Sequence, residues 1–186
     1  MRAGRLAASG LLLALGLWLS PLAPQPASAA SAAEIDVQVV AALERFDQEV
    51  PAGRELLAQA KGVLVFPRVI KAGFGIGGEY GEGALRIGGR SVGYYNLISA
   101  SIGLQLGAQA RAELILFMTE EALERFRSSD GWEVGVDGSV ALITTGVAGE
   151  IDTNTINQPV IGFVFGEEGL MANLSLEGAK ISRLDK

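Results

Sequence analysis

The stretch that decides the fold is residues 60–87, AKGVLVFPRVIKAGFGIGGEYGEGALRI. An apolar run ends at Pro67, and glycine then occupies every second position at Gly73, Gly75 and Gly77. Because successive side chains of a strand point to opposite faces, this pattern predicts a strand with one bulky face and one face of nearly bare backbone. Glycine weakens a strand, so its repetition indicates a bend, a bound ligand or another backbone at close range.

The same region is basic within an acidic protein. The whole chain has a formal charge of −6, whereas residues 57–118 have a net charge of +3. Basic side chains beside bare backbone can approach a phosphate or carboxylate closely. The alternative is that they pair with Glu79, Glu82 and Glu113 and only solubilise the sheet. The cations concerned are Lys61, Arg68, Lys71, Arg86, Arg90 and Arg111.

Residues 1–29 predict a cleaved export signal. Two arginines precede an apolar run at residues 11–19, and the small-residue sequence ASA follows at 27–29. The apolar run is too short to span the ~30 Å of a bilayer comfortably. Cleavage would leave residues 30–186 with a charge of −8, a length that fits one domain with a sizeable core.

The composition excludes several chemistries. The chain has neither cysteine nor histidine, so disulfides, zinc sites with the usual ligands, thiol nucleophiles and imidazole bases are all excluded. We therefore expect no metal and no cofactor. The negative charge also argues against nonspecific binding of nucleic acid, because neutralising phosphates requires a surplus of Lys and Arg.

The hydrophobic pattern predicts helices followed by a sheet. Residues 32–47 form an amphipathic pattern, residues 52–60 a short helix, and residues 120–127 a helix that Thr119 can cap. After Gly62 the apolar period changes from about 3.6 to 2. The predicted strands lie at 63–66, 70–80, 84–87, 91–107, 114–118, 134–136, 139–143, 160–165 and 170–176, with turns at 81–83, 88–89, 137–138 and 166–169.

These elements predict an α+β fold. We expect a strongly curved or barrel-like antiparallel sheet of about seven or more strands, with the N-terminal amphipathic helix and one or two short helices packed against it. Glycines at alternate positions suit such a sheet, because sharp curvature needs them.

Two further patterns in the sequence suggest a nucleotide site or a catalytic site. Residues 73–78 satisfy G-x-G-x-x-G, but no helix start and no acidic partner follow, so we expect no nucleotide. A hydrolytic site of paired carboxylates is possible in principle. The candidate acids fall in predicted turns and helix starts, where carboxylates normally provide caps and solubility, so we expect a protein that is not an enzyme.

The run VLVFPRVIKAGFGIGGEYGEG, continued by Gly93-Tyr94-Tyr95 and the strand at residues 101–107, resembles the SYLF domain family. The resemblance extends from Ile35 to the C-terminus and is most specific at residues 66–83. It implies a non-enzymatic module that binds lipid; eukaryotic members bind phosphoinositides and, in yeast, actin filaments. An exported protein would not meet actin in its own compartment, so we do not expect actin as a partner.

Given this resemblance, we predict that the basic region binds lipid. We expect an exported protein of the periplasm or the extracellular space, peripheral on a membrane, that binds lipid either at a surface or inside the sheet. The rival function is a structural or adhesive envelope protein with protein partners. The predicted head-group contacts are Lys61, Arg68, Lys71, Arg86 and Arg90, and the predicted acyl-chain lining is Phe74, Ile76, Ile102 and Leu104.

Overall fold

A computed structural model describes residues 30–50, 53–144, 157–168, 176 and 178–186, without the side chains of residues 74–76, 101–108, 144, 167 and 168. The predicted leader and most of the predicted strand at 170–176 lie outside this part. The helices are α1 (Ala32–Glu49), α2 (Gly53–Gln59) and α3 (Glu120–Ser128). The strands are β1 (Gly62–Ile87), β2 (Arg90–Phe117), β3 (Trp132–Glu133), β4 (Ala141–Thr144), β5 (Val160–Glu168) and β6 (Lys180–Leu184).

All three predicted helices are confirmed. Ser31 caps α1 by accepting from the backbone N–H of Glu34, whose carboxylate in turn accepts from the backbone N–H of Ser31. Thr119 caps α3 by accepting from the backbone N–H of Ala122, as predicted. The acids in the first turn of α3 and its two arginines in the last turn also match the helix dipole.

The fold is organised by one very long antiparallel hairpin, β1 with β2. The two strands pair from the turn at Gly88 and Gly89, where φ is +56° and +79°, to their far ends at Gly62 and Phe117. These positive φ values are those of a two-residue hairpin turn, which confirms the turn predicted there. The predicted turn at residues 81–83 is wrong, since β1 continues through it.

The long hairpin bends back over itself. Lys71 and Glu79 lie eight residues apart on β1, and extended strand would separate them by about 26 Å. Their side-chain charges are nevertheless 3.0 Å apart. A Cβ on Gly83 would lie 2.0 Å from the carbonyl oxygen of Val65, so the two halves of β1 touch through backbone at that level. The glycines of residues 81–83 therefore serve a close approach between strand halves.

The bend divides one sheet into two halves. In one half, the C-terminal part of β2 pairs with β5, and β5 pairs in parallel with β4. In the other, the N-terminal part of β2 pairs with β6, and β6 pairs with β3. The described part thus has six strands, which supply eight strand segments to a curled sheet because β1 and β2 belong to both halves. The predicted α+β fold with a strongly curved sheet is confirmed.

Two apolar clusters hold the curled sheet. The inner cluster lies between the halves and beneath α3, where Phe126 packs on Phe117 and Trp132. The outer cluster lies beneath α1, where Phe46 meets the ring edges of Phe163 and Phe165. Burying such side chains supplies the main driving force for this arrangement.

The predicted hairpin around Asp137 and Gly138 is wrong. β3 pairs with β6, and β4 pairs in parallel with β5, so the flanking segments join different strands. The carboxylate of Asp137 accepts from the backbone N–H of Glu133 at 2.7 Å and closes a local turn instead of a hairpin. Burial of the Trp132 side chain fixes β3 on the inner cluster. No helix of the described part is long and apolar enough to cross a membrane.

Candidate functional site

A cleft lies where the register shifts in two neighbouring pairs of strands. The β1–β2 ladder shifts between Phe66 and Val69, and the β2–β5 ladder shifts between Ala110 and Ala112. Pro67 lies within the first shift, where its missing N–H costs no ladder bond. The resulting cavity measures about 180 Å³. We call it the arginine cleft; its lining residues are Arg45, Pro67, Arg68, Ala110, Arg111 and Gly166.

Arg45 reaches the cleft from α1 across the end of β5. Its guanidinium carbon lies 5.7 Å from the centre of the Phe165 ring, within range of a cation–π interaction. Gly166 has a φ of +62°, and a Cβ there would lie 2.9 Å from Nη1 of Arg45. Glycine at this position therefore both permits the backbone turn and leaves space for the guanidinium.

Arg111 approaches from the inside of the sheet as the centre of a buried ion network. Its Nε donates to Oε1 of Glu113 at 2.7 Å and its Nη2 donates to Oε2 of Glu79 at 2.8 Å. The other oxygen of Glu79 contacts Nζ of Lys71 at 3.0 Å. All four side chains are almost fully buried, with at most 7 % of any of them exposed. We call these residues the ion network: two cations and two carboxylates, whose formal charges cancel.

The ion network retains unused hydrogen-bonding capacity. Three atoms are buried without a hydrogen-bond partner in the part of the chain that the structure describes: Nη1 of Arg111, Oε2 of Glu113 and Nε2 of the neighbouring Gln109. A buried polar atom without a partner costs free energy, so such atoms are normally kept for a reason. Burial raises the pKa of the Glu113 carboxyl above its usual value, although the Arg111 guanidinium acts in the opposite direction.

The chemistry of the cleft is that of an anion site. Three guanidinium groups approach one small cavity, and none of its lining residues is acidic. A guanidinium presents a planar fork of N–H donors that fits two oxygens of a phosphate or carboxylate. Arg45 and Arg68 are exposed and able to adjust, whereas Arg111 is fixed by its two carboxylate partners. The cleft thus combines one rigid donor with two adaptable ones.

The structure brings only part of the predicted head-group set to this cleft. Arg68 lines it. Lys71 is buried in the ion network, where it pairs with Glu79, which was the alternative to ligand binding. Lys61 is exposed at the start of β1. Arg86 and Arg90 flank the hairpin turn, where Nη2 of Arg86 donates to the carbonyl oxygen of Gly89. None of these last three residues lines the cleft.

The predicted acyl-chain lining lies outside the described side chains. The backbones of Phe74, Ile76, Ile102 and Leu104 belong to β1 and β2 near the bend of the hairpin, where the ladder shifts between Phe74 and Ile76.

The two buried carboxylates next to the arginine cleft do not form a free acid pair. Glu79 and Glu113 share Arg111, but both are buried and hydrogen-bonded to it, so neither reaches the cleft as a free group. Within the described part, no three or more carboxylates come together as metal ligands.

Sequence reasoning missed Arg45, Gly166 and the central role of Arg111. Arg111 and Glu113 alternate with small or apolar residues at a period of 2 on the inward face of β2, next to a fully apolar run. Charges on the buried face of a strand are unusual, and that pattern could have identified the ion network. Arg45 carried no comparable signal, because charged residues on the outer side of an amphipathic helix are normal.

A comparison with protein families gives one match. The family described as "Ysc84: Las17-binding protein actin regulator" matches residues 98–186, which include most of β2 and the strands and helix that follow. The match confirms the resemblance to the SYLF family over those residues. No curated protein matches the chain.

Proposed function

We propose that the protein is a non-enzymatic lipid-binding domain whose arginine cleft holds an anionic lipid head group, since its residues 98–186 match the Ysc84 (SYLF) family. The observation that carries the proposal is the buried Nη1 of Arg111, which has no hydrogen-bond partner among the described residues. Arg111 lines the cleft together with two further arginines. A phosphate oxygen would provide the missing acceptor.

The charge of the whole protein explains why such a site must be local. A chain with a formal charge of −6 is repelled by an anionic surface as a whole. Binding therefore requires cations concentrated at one place, and the arginine cleft supplies three without an acidic lining residue. The exposed members also remain open to screening by salt, which reaches across about 8–10 Å at ordinary ionic strength.

The size of the cleft favours a head group over a whole lipid. Pockets that enclose drug-sized ligands measure ~300–1,000 Å³, whereas this cavity measures about 180 Å³. We therefore propose that the head group enters the cleft while the acyl chains remain in the membrane. With the predicted leader, this describes an exported protein that binds peripherally to a membrane surface, where cytoplasmic actin is not a partner.

Co-sedimentation with vesicles tests the proposal. The protein should sediment with vesicles of equimolar phosphatidylcholine and phosphatidylglycerol, bind pure phosphatidylcholine weakly, and lose most of its binding at high salt. Replacing Arg45 or Arg68 by Gln should weaken binding about fivefold each, since one cation near an anionic surface contributes ~1 kcal/mol.

The matched control is Arg54→Gln, which removes the same charge from an exposed arginine of α2 that pairs with Asp47 outside the cleft. Its binding should equal that of the parent. If the cleft variants bind as well as Arg54→Gln, the cleft is not the head-group site. If the parent itself ignores both kinds of vesicle, the protein does not bind lipid through exposed cations.

A further inference from the structure

The outer face of the bent hairpin carries exposed apolar side chains. Ile70 and Tyr80 lie on the outward side of β1, before and after the bend, and Ile98 pairs directly with Tyr80 on β2. Their exposed fractions are 43 %, 46 % and 50 %. Helix α1 covers the outer side of the sheet elsewhere, at Val65 and Ala84. We call the exposed surface around these three residues the corner face.

The two strand segments that form the corner face carry no outward-facing charge. Residues 69–81 of β1 and 97–110 of β2 contain only two charged residues, Lys71 and Glu79, and both point inward and bind each other. The outward neighbours with described side chains between the three apolar residues are small, at Ala72, Gly78 and Ala100. An uncharged, exposed apolar surface is uncommon on a protein that only needs to stay dissolved, and such surfaces usually contact a partner or a membrane.

Cations stand at two margins of the corner face. Arg68, exposed and part of the arginine cleft, lies two residues before Ile70 on β1. Lys180 of β6 is exposed and pairs with Ile98 on the opposite margin. The acid that follows Tyr80 on the same strand, Glu82, is neutralised by Lys186 at 2.8 Å. Acidic residues stand at the same margins, since Glu133 of β3 pairs with Lys180, and Glu168 of β5 pairs with Ala110 beside Ile70. The face therefore has an apolar centre and edges of mixed charge, and its most basic margin is the arginine cleft beside Arg68.

We propose that the corner face rests on an anionic lipid bilayer, with Ile70, Tyr80 and Ile98 entering the boundary between head groups and acyl chains. The inference rests on the proposed function and adds the orientation of the protein, since it places the arginine cleft at the level of the lipid phosphates. Peripheral membrane binding combines buried apolar area with attraction between cations and anionic lipids. Here the corner face supplies the apolar area and the neighbouring arginine cleft supplies the cations.

Tyrosine at the centre of the face fits the same environment. The Tyr80 hydroxyl donates to Oε1 of Glu82 at 2.7 Å, which keeps its polar end directed toward the polar edge while its ring stays exposed. Amphipathic aromatic rings of this kind prefer the membrane–water interface, because one end is apolar and the other is hydrated.

Spin labelling tests the orientation directly. The chain has no cysteine, so Ile70→Cys, Ile98→Cys and, as control, Val136→Cys each place one label at an exposed apolar position. Val136 lies in the turn after β3 and is 73 % exposed. On vesicles of equimolar phosphatidylcholine and phosphatidylglycerol, labels at Ile70 and Ile98 should lose collisions with a water-soluble nickel complex and gain collisions with oxygen. The label at Val136 should change neither.

A second measurement does not depend on the label. Ile98→Glu should weaken vesicle binding on the order of tenfold, because it removes an apolar side chain from the boundary and adds a charge that anionic lipid repels. Val136→Glu adds the same charge to an exposed apolar position outside the face and should leave binding unchanged. Circular dichroism of both variants establishes that they fold alike.

The outcomes separate the two proposals. If the parent and labelled proteins sediment with vesicles while the labels at Ile70 and Ile98 stay in water, the orientation is wrong and the head-group proposal stands. If the labels show spin–spin broadening without vesicles, a second copy of the chain covers the face and the inference is overturned. If the parent does not bind vesicles, the proposed function fails first.

Discussion

The two halves of β1 meet in two different ways along the inside of the same bend. Away from the bend they touch through backbone, where Gly83 lies against Val65 and Gly81 lies against Arg68 and Val69. Apolar side chains fill the space around these contacts. Toward the bend they meet through the ion pair of Lys71 with Glu79.

The two kinds of contact serve different purposes: one stabilises the fold and the other prepares a binding site. Apolar packing alone could have closed the whole interior, since replacing a buried ion group by well-packed apolar residues is often neutral or stabilising. Here the apolar contact ends and the ion network begins next to the arginine cleft, which Arg111 also lines. We infer that the backbone contact supplies stability and that the ion network holds Arg111 in place for a ligand.

Substitution at the backbone contact should lower the stability of the protein more than substitution in the ion network. The Cβ added by Gly83→Ala would lie 2.0 Å from the carbonyl oxygen of Val65, so a backbone segment must move. We expect a loss of at least about 4 kcal/mol in the free energy of unfolding, measured by urea denaturation.

Gly78→Ala is the control for this substitution. It lies on the same strand, and its Cβ would meet the carbonyl oxygen of Ser99 at an ordinary 3.5 Å. Its stability should stay within about 1 kcal/mol of the parent. Equal losses in the two variants would show that the halves of β1 do not approach as closely as Gly83 indicates.

Removing Arg111, the central cation of the ion network, should cause the next largest loss of stability. Arg111→Met leaves both Glu79 and Glu113 buried with fewer partners, and we expect a cost of about 3–5 kcal/mol in the free energy of unfolding. Lys71→Met removes one partner of Glu79 and leaves the other, so it should cost about 2 kcal/mol. Unfolding curves that place Lys71→Met at or below the stability of Arg111→Met would contradict a network centred on Arg111.

The smallest effect concerns pH. Because burial raises the pKa of Glu113 in the folded protein, the folded state takes up a proton at a higher pH than the unfolded chain does. The cost of burying its charge is therefore present above the folded pKa and is relieved as the pH falls through it. Relative to Glu113→Gln, which cannot ionise, the parent should become more stable as the pH falls from neutral toward 4.5.

Denaturation of both proteins over that pH range provides the measurement. Parallel pH profiles for the parent and Glu113→Gln would mean that Glu113 titrates alike in the folded and unfolded states. Glu82 should not mask the effect, because both proteins keep its contact with Lys186. Its contribution therefore cancels when the two pH profiles are subtracted.

Local patterns predicted much of this fold. The amphipathic pattern of residues 32–47 predicted α1, and the paired glycines predicted the hairpin turn at residues 88–89. The alternate glycines at residues 73–77 predicted a strongly curved sheet, and the bend of the hairpin confirms it. The close backbone approach occurs instead at Gly83, which was predicted to lie in a turn.

Contacts between distant parts of the chain could not be read in the same way. A period of 2 assigns a side chain to one face of a strand, but it does not say which face is inside or which strand halves will meet. Arg68 was therefore predicted as a ligand contact together with Lys71, although the bend pairs Lys71 with Glu79. Strand β6 was not predicted at all, because its five residues include only one that is fully buried, Ile181.

The paired-glycine turn between β1 and β2 also has a consequence for the order of folding. Contacts near Gly88 and Gly89 close the smallest loops, so the hairpin can form from the turn outward at little entropic cost. We expect the ribbon to bend later, in a step that removes water from the four charged groups of the ion network. The rate of folding should then respond more to substitutions in the ion network than to substitutions in the turn.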